Sequence, residues 1–163
     1  MSAMISRSQL EKEAIRFRRA ILTVKEAGGF PADGFRFEKM NSFPIGCCDD
    51  TADLFSHYLF EKYGIVSIRV DGTCFDKYRR CSFNHSWQVV NGWIVDLTGD
   101  QFDFDPALRI KLNGVFVGDN SPFHRQFTIL YEEPSNGILS LGEASHERMY
   151  RLYEIIMNNI EHE

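Results

Sequence analysis

The chain has 163 residues, of which 44% are hydrophobic and 25% charged, and its net charge is -5 at pH 7. This length and composition predict one folded domain over residues 1–163, large enough to bury a single hydrophobic core. The negative charge argues against nucleic acid as a partner, and the lack of an apolar run near the roughly 20 residues that span a bilayer argues against a membrane partner.

The four cysteines are unevenly spaced, at Cys47, Cys48, Cys74 and Cys81. They form neither a CxxC pair nor a dense disulfide pattern, so a reduced, cytoplasmic protein with no metal and no other cofactor is expected. The polar N-terminus has no apolar segment of the kind found in signal peptides, which agrees with that expectation.

A first helix is predicted to begin at a capping box over residues 8–11 and to end before Gly28. Its basic residues, Arg18 among them, are assigned to a solvated face. Hydrophobic residues show no helical or strand periodicity between residues 30 and 45, where two prolines and one glycine indicate an irregular segment. The second helix is predicted from about Cys48 to Tyr63, with Gly64 as a left-handed stop. Its apolar stripe predicts an amphipathic helix, and that stripe contains Cys48, Ala52, Phe55, Leu59 and Tyr63.

Residues 65–71 alternate apolar and polar side chains, which predicts a half-buried strand, and residues 72–83 are predicted to be a loop or an irregular strand. Short strands are also predicted at residues 115–117 and 127–131. A last helix is predicted to follow a cap near Ser140. Helices followed by strands and a final helix predict an α+β fold: N-terminal helices pack on a mostly antiparallel sheet, and a C-terminal helix completes it.

The strongest local pattern predicts a β-hairpin closed by Asn91 and Gly92. With that two-residue turn, Trp87 lies opposite Asp96, and His85 lies on the same face of the sheet as both. His85 and Asp96 are then diagonal neighbours, about 7–8 Å apart at Cα, a gap that an imidazole and a carboxylate can close. A turn one residue longer or shorter would reverse this parity.

A cysteine in the first turn of a helix is exposed to the partial positive charge of the helix N-terminus, which favours thiolate over thiol. Together with His85 and Asp96, Cys48 therefore predicts a Cys-His-Asp catalytic triad. In the alternative reading, the cysteine is a buried apolar residue and the histidine is structural. Asp49 and Asp50 adjoin the cysteine, and their charges are expected to raise its pKa.

Over about residues 43–102 the chain resembles the transglutaminase-like superfamily. The resemblance rests on four segments: Gly-Cys-Cys-Asp-Asp-Thr-Ala from residue 46, Tyr-Gly-Ile from residue 63, His-Ser-Trp from residue 85, and Val95-Asp96. The resemblance implies a papain-like core in which Cys48 is the nucleophile, His85 the base and Asp96 the residue that orients it. It places Trp87 in the wall of the site and Cys47 in a packing or supporting role. If the motif alignment slips by one, Cys47 reacts instead. The family's oxyanion-stabilising side chain has no clear match, and Asn41 is the nearest residue of the right type.

The resulting hypothesis is acyl transfer on amide bonds through a thioester, with a protein or peptide as the amide substrate. The short chain favours a hydrolase, either a glutamine deamidase or a peptidase-like enzyme. A transglutaminase or an acyl-CoA-dependent transferase with the same triad is an alternative, and a non-catalytic binding or scaffold module with this fold is another. The remaining histidines are expected to be structural or on the surface: His57, His124, His146 and His162.

Overall fold

The computed structural model describes residues 4–32, 39–103, 105 and 114–161. Within these residues the protein has the predicted α+β fold. The helices are α1 (Arg7–Glu26), α2 (Cys48–Tyr63) and α3 (Glu143–Met157). The strands are β1 (Ser67–Asp76), β2 (Cys81–Val90), β3 (Trp93–Asp96), β4 (Phe116–Gly118) and β5 (Thr128–Ser135). All neighbouring strands are antiparallel, in the order β4-β3-β2-β1-β5.

Helix α1 begins two residues earlier than the capping-box pattern predicts. Its N-cap is Ser6, whose hydroxyl accepts a hydrogen bond from the backbone N–H of Gln9 at 3.1 Å. Either serine could cap a helix at this position. The choice of Ser6 brings Leu10 onto the buried side of the helix, where it is fully enclosed.

Helix α2 has the predicted bounds, and Gly64 ends it in the left-handed conformation with φ 68°. The helix is not amphipathic, however, because every residue from 50 to 59 is buried. Three of its buried polar side chains have partners elsewhere in the fold, whereas the buried hydroxyl of Thr51 has none. The pairs are Asp50 with Arg148, Asp53 with Arg69, and Ser56 with Gln88.

Strands β1 and β2 are longer than predicted. Residues 72–83 were expected to form a loop or an irregular strand, but β1 continues to Asp76 and β2 begins at Cys81. The two strands pair without interruption from Ile68 with Val89 to Asp76 with Cys81. Cross-strand pairing overrides the weak alternation of polar and apolar residues in this stretch.

The hairpin between β2 and β3 agrees with the prediction. Asn91 and Gly92 both have positive φ, 50° and 84°, as a type I′ turn requires. The ladder pairs Val90 with Trp93, Val89 with Ile94, and Gln88 with Val95. Asp96 therefore lies just beyond the end of this ladder, on the same face as Trp87 and His85.

The sheet separates two hydrophobic clusters. On the side that we call the helix face, residues of the three helices pack against strand residues such as Val90, Val95 and Val117. On the opposite side, the aromatic face, the cluster consists of Val70, Trp87, Phe102, Phe123 and Phe127. Among the described residues, none of the helices combines the length and the apolar character needed to cross a bilayer.

Candidate active site

The site is assembled at the N-terminus of α2. Gly46 precedes the helix with φ 74°, a conformation that L side chains rarely adopt. Cys47 is the N-cap residue and Cys48 the first residue of the helix. The N–H groups of the first helical turn have no acceptor within the helix and point out of its N-terminus. Cys48, which is half-buried, therefore lies at the end of the helix where these backbone donors are unpaired.

His85 and Asp96 are joined by a direct hydrogen bond, and Cys48 lies beside the same imidazole. Cys48 lies near enough to His85 and to the backbone N–H of Ser86 for both to lower the pKa of its thiol. On the other side of the ring, His85 Nε2 is 2.6 Å from Asp96 Oδ2, and both of these side chains are completely buried. Because Asp96 accepts from Nε2, the nitrogen left for the thiol is Nδ1.

The two adjacent cysteines are in opposite electrostatic environments. Cys47 is fully buried, and burial, reinforced by the neighbouring Cys48, raises the pKa of its thiol to about 12. Burial alone would also raise the pKa of Cys48. The hydrogen bond and charge of His85, with the backbone N–H of Ser86, outweigh burial and hold the pKa of Cys48 below its ordinary value. The thiolate therefore forms more readily at Cys48 than at Cys47.

The charges of His85 and Asp96 are matched to that thiolate. Burial lowers the pKa of His85, but the negative charge and hydrogen bond of Asp96, followed by the contact with Cys48, raise it to about 9. Burial would raise the pKa of Asp96, whereas the charge of His85 and the hydrogen bonds from His124 and His85 hold it far below its usual range. An imidazolium between two anions is the state that these groups stabilise.

The acidic residues next to Cys48 oppose the thiolate less than the sequence suggests. Asp49 forms an ion pair with Lys39 at 3.1 Å, and Asp50 forms one with Arg148 at 2.7 Å. Asp49 still raises the pKa of Cys48, but its effect is smaller than those of burial, His85 and Ser86. Both carboxylates are partly neutralised by cations from distant segments, which the sequence alone cannot reveal.

His124 is a site residue that the sequence analysis missed. It was expected to be structural or on the surface, but its Nε2 lies 2.7 Å from Asp96 Oδ2, the same oxygen that His85 contacts. Its Nδ1 contacts the Ser121 hydroxyl at 2.5 Å. The only local signal is the Ser-Pro-Phe-His order, in which Ser121 caps the turn and accepts a bond from the His124 backbone N–H at 3.2 Å.

This network determines which imidazole nitrogen can act as a base. The remaining Asp96 oxygen, Oδ1, accepts from the Thr98 backbone N–H at 2.9 Å. The ionised carboxylate can only accept, so both histidines must donate through Nε2. His124 Nδ1 is then an acceptor for the Ser121 hydroxyl. When His85 is neutral, its Nδ1 therefore carries the lone pair, on the side of the ring away from Asp96.

Aromatic rings enclose the buried imidazole of His85. Its ring centroid is 5.1 Å from that of Phe102 and 5.7 Å from that of Trp87. Trp87 is itself buried, and its ring lies 4.8 Å from that of His124. Gly72 leaves room for this packing, because a Cβ there would lie 2.9 Å from the Trp87 ring. The apolar surroundings strengthen the electrostatic interactions of the His-Asp-His series.

Three ligand atoms of the kind that bind metals meet in this network. Those of His85, Asp96 and His124 all lie within 4.8 Å of one another. The two Nε2–Oδ2 distances, 2.6 and 2.7 Å, are hydrogen-bond distances. Ligand atoms about 2 Å from a tetrahedral zinc would lie roughly 3.3 Å apart. The distances from Asp96 Oδ2 to the two histidine nitrogens therefore fit hydrogen bonds better than coordination of a metal ion.

The other histidines remain outside this network. His57 Nδ1 accepts from the Ile138 backbone N–H at 3.3 Å, and His146 Nε2 contacts the Leu141 carbonyl at 2.9 Å. These contacts join both rings to backbone groups. His162 lies outside the described residues.

Comparisons with known proteins add little. No protein-family model matches the chain, and no curated protein matches it. A solved structure described only as a genomics target aligns over 93% of this chain and 80% of its own, with 12% sequence identity and a TM-score of 0.48. A likeness of that size supports no argument about function, so any functional conclusion depends on the geometry of the site.

Proposed function

We propose that the protein catalyses cysteine-dependent acyl transfer on amide bonds and releases the acyl group to water. The observation that carries this proposal is the buried pair of His85 and Asp96, with Nε2 2.6 Å from Oδ2, beside a cysteine whose pKa His85 helps to hold below its ordinary value. A structural cysteine needs neither a base in contact with its sulfur nor a buried carboxylate behind that base.

The first half of the reaction forms a thioester. His85 Nδ1 takes the Cys48 proton, and the sulfur attacks the amide carbonyl to give a tetrahedral intermediate whose oxygen carries the negative charge. The Cys48 backbone N–H at the start of α2 is placed to donate to that oxygen. The intermediate collapses when the C–N bond breaks, and the His85 imidazolium gives its proton to the departing nitrogen.

The second half regenerates the enzyme. His85 removes a proton from water as the water oxygen attacks the thioester carbonyl, and the C–S bond then breaks. Ammonia is the first product if the substrate is a glutamine side chain, and an amine is the first product if it is a peptide bond. We propose hydrolysis of a protein or peptide amide, by either route, as the activity.

Alkylation of the thiols tests the proposal without a known substrate. Iodoacetamide at pH 7, with peptide mapping of all four cysteines, should label Cys48 first, although Cys81 is more exposed. His85→Ala should abolish this preference. His146→Ala is the matched control, since it removes an imidazole that does not contact the site.

A scaffold module would give a different result. Cys48 would then react no faster than the exposed Cys81, with an ordinary pH dependence, in both wild type and His85→Ala. That outcome would contradict the proposed function.

A further inference from the structure

Gln101 is the amide side chain placed next to the reacting atoms. Its Nε2 lies 3.2 Å from His85 Nδ1, and its Oε1 accepts from the Gly46 backbone N–H at 3.2 Å. The Gly46 N–H can only donate, so it fixes which end of the amide is the oxygen and turns the NH2 group toward the imidazole. Gln101 therefore bridges the loop before Cys48 and the Nδ1 atom of His85.

Asn41, the residue expected from the sequence as the oxyanion side chain, is held elsewhere. Asn41 was the nearest candidate upstream of the cysteine, but its Nδ2 donates to the Phe30 carbonyl at 3.4 Å. That bond ties Asn41 to the segment after α1 and away from His85. Gln101 follows the cysteine in the chain and reaches the site only through the fold.

The turn that carries Gln101 is firmly held. Gln101 lies in a 3-10 turn, Gly99–Phe102, that begins three residues after Asp96. Arg18 fixes this turn through two bonds to Asp100, at 2.9 and 2.6 Å, and one to the Leu97 carbonyl at 2.5 Å. Arg18 is thus largely buried and bonded, and its assignment to a solvated face was wrong.

The bond between Gln101 and His85 can exist in only one protonation state. The amide N–H donates to Nδ1 while that nitrogen has a free lone pair. Once Nδ1 takes the Cys48 proton, two donors face each other and the bond is lost. The amide N–H then becomes free when the sulfur attacks and negative charge develops on the carbonyl oxygen.

We propose that Gln101 is a catalytic residue that donates a hydrogen bond from Nε2 to the oxyanion of the tetrahedral intermediate. The proposal rests on the proposed function and names a group for it that the motif resemblance did not supply. The Cys48 thiol and the Gln101 amide both lie beside the imidazole of His85, so in this proposal the oxygen of a carbonyl attacked by the sulfur comes near the amide. Such a donor acts only when the oxyanion exists, which is how it accelerates the reaction.

Two probes separate oxyanion stabilisation from activation of the thiol. With p-nitrophenyl acetate, the Cys48 sulfur forms a bond to the acetyl carbon, His85 takes the thiol proton, and the C–O bond breaks to release p-nitrophenolate. This step passes through an oxyanion. Iodoacetamide alkylates the same thiolate by displacing iodide, with no oxyanion.

Gln101→Met keeps the length of the side chain but removes the donor. We expect the p-nitrophenolate burst to slow about 100-fold, while alkylation of Cys48 at pH 7 stays within about twofold, since the His85 contact that lowers the thiol pKa is retained. Gln101→Glu should slow the burst likewise, although it can still accept from Gly46. Gln9→Met on α1 is the matched control, because that amide bonds to Tyr63 away from the site.

The outcomes are distinguishable. An unchanged burst in Gln101→Met, or equal losses of burst and alkylation in a variant that melts like wild type, would overturn the role of Gln101 and leave the proposed function standing. Wild-type protein that gives neither a burst nor preferential alkylation of Cys48 would overturn both.

Discussion

The two faces of the sheet have different compositions and different tasks. The helix face is filled mainly by apolar side chains from α1, α2 and α3. The aromatic face is covered by residues from strands and from the segments between them, and it encloses His85, Asp96 and His124 among phenylalanine and tryptophan rings. Cys48 connects the two, because it begins α2 and lies beside His85, which lowers the pKa of its thiol.

This difference indicates how the protein can keep a buried charged group. Apolar packing on the helix face supplies most of the hydrophobic stabilisation, in proportion to the area removed from water. The aromatic face holds a carboxylate that is stable only because two imidazoles and a backbone N–H satisfy it. We therefore expect substitutions on the helix face to change stability and substitutions on the aromatic face to change the chemistry of Cys48.

Phe55→Ala on the helix face should give the largest free-energy change of the substitutions considered, a loss of stability. Phe55 is fully buried in α2, with its ring 5.4 Å from that of Phe17. Loss of the ring should cost about 3–5 kcal/mol in the free energy of unfolding, measured by denaturant unfolding. Alkylation of Cys48 per folded molecule should not change. Leu139→Ala, at an exposed position, is the control, and loss of Cys48 reactivity without loss of stability would contradict the division between the faces.

His85→Ala on the aromatic face should have the next largest effect. Without the imidazole, burial and Asp49 both raise the pKa of Cys48, so its thiolate fraction at pH 7 should fall. We expect alkylation to slow by about 100-fold or more. In wild type, the rate should rise with pH through a pKa below the ordinary thiol value and then level off, whereas the variant should still be rising at pH 9.

Alkylation of His85→Ala also tests the difference in reactivity between Cys47 and Cys48. Cys47 should remain unreactive in both proteins, because burial raises its pKa to about 12. A variant whose alkylation moves from Cys48 to Cys47 would show that the two thiols exchange roles, and it would contradict the assignment of Cys48.

Gly92→Ala tests the hairpin that brings His85 to Asp96. Its φ of 84° is unfavourable for alanine, so the substitution should cost about 1–2 kcal/mol of stability. Gly142→Ala is the control, because Gly142 has φ -63° and open space around its Cα. Thermal unfolding measures both. Equal effects for the two would mean that the turn does not need a left-handed residue at position 92.

His124→Phe should have the smallest effect, a rise in the pKa of His85. The variant keeps a ring in the cluster but removes one donor from Asp96, and a less solvated carboxylate holds the His85 imidazolium more tightly. The pKa of His85, about 9 in wild type, should therefore rise, by less than about 1 unit. NMR titration of the ring measures this shift. A fall in the pKa of His85, or an equal rise in His146→Phe, would contradict the coupling through Asp96.

The sequence predicted the parts of the site whose geometry is local. The Asn91-Gly92 turn and the alternation around it correctly placed His85, Trp87 and Asp96 on one face. The bounds of α2, and with them the position of Cys48, followed from a helical pattern that ends at Gly64. These features depend on residues close together in the chain, whose preferred turns and periods survive in the folded protein.

Tertiary structure alone decided the rest. His124 reaches Asp96 across 28 positions in the chain, and Gln101 meets Gly46 across 55. The partners that bury the polar side of α2, and those that neutralise Asp49 and Asp50, likewise come from other segments. No local pattern encodes such contacts, because a buried polar side chain is stable only with a hydrogen-bonding partner, and the folded chain determines which partner lies in reach.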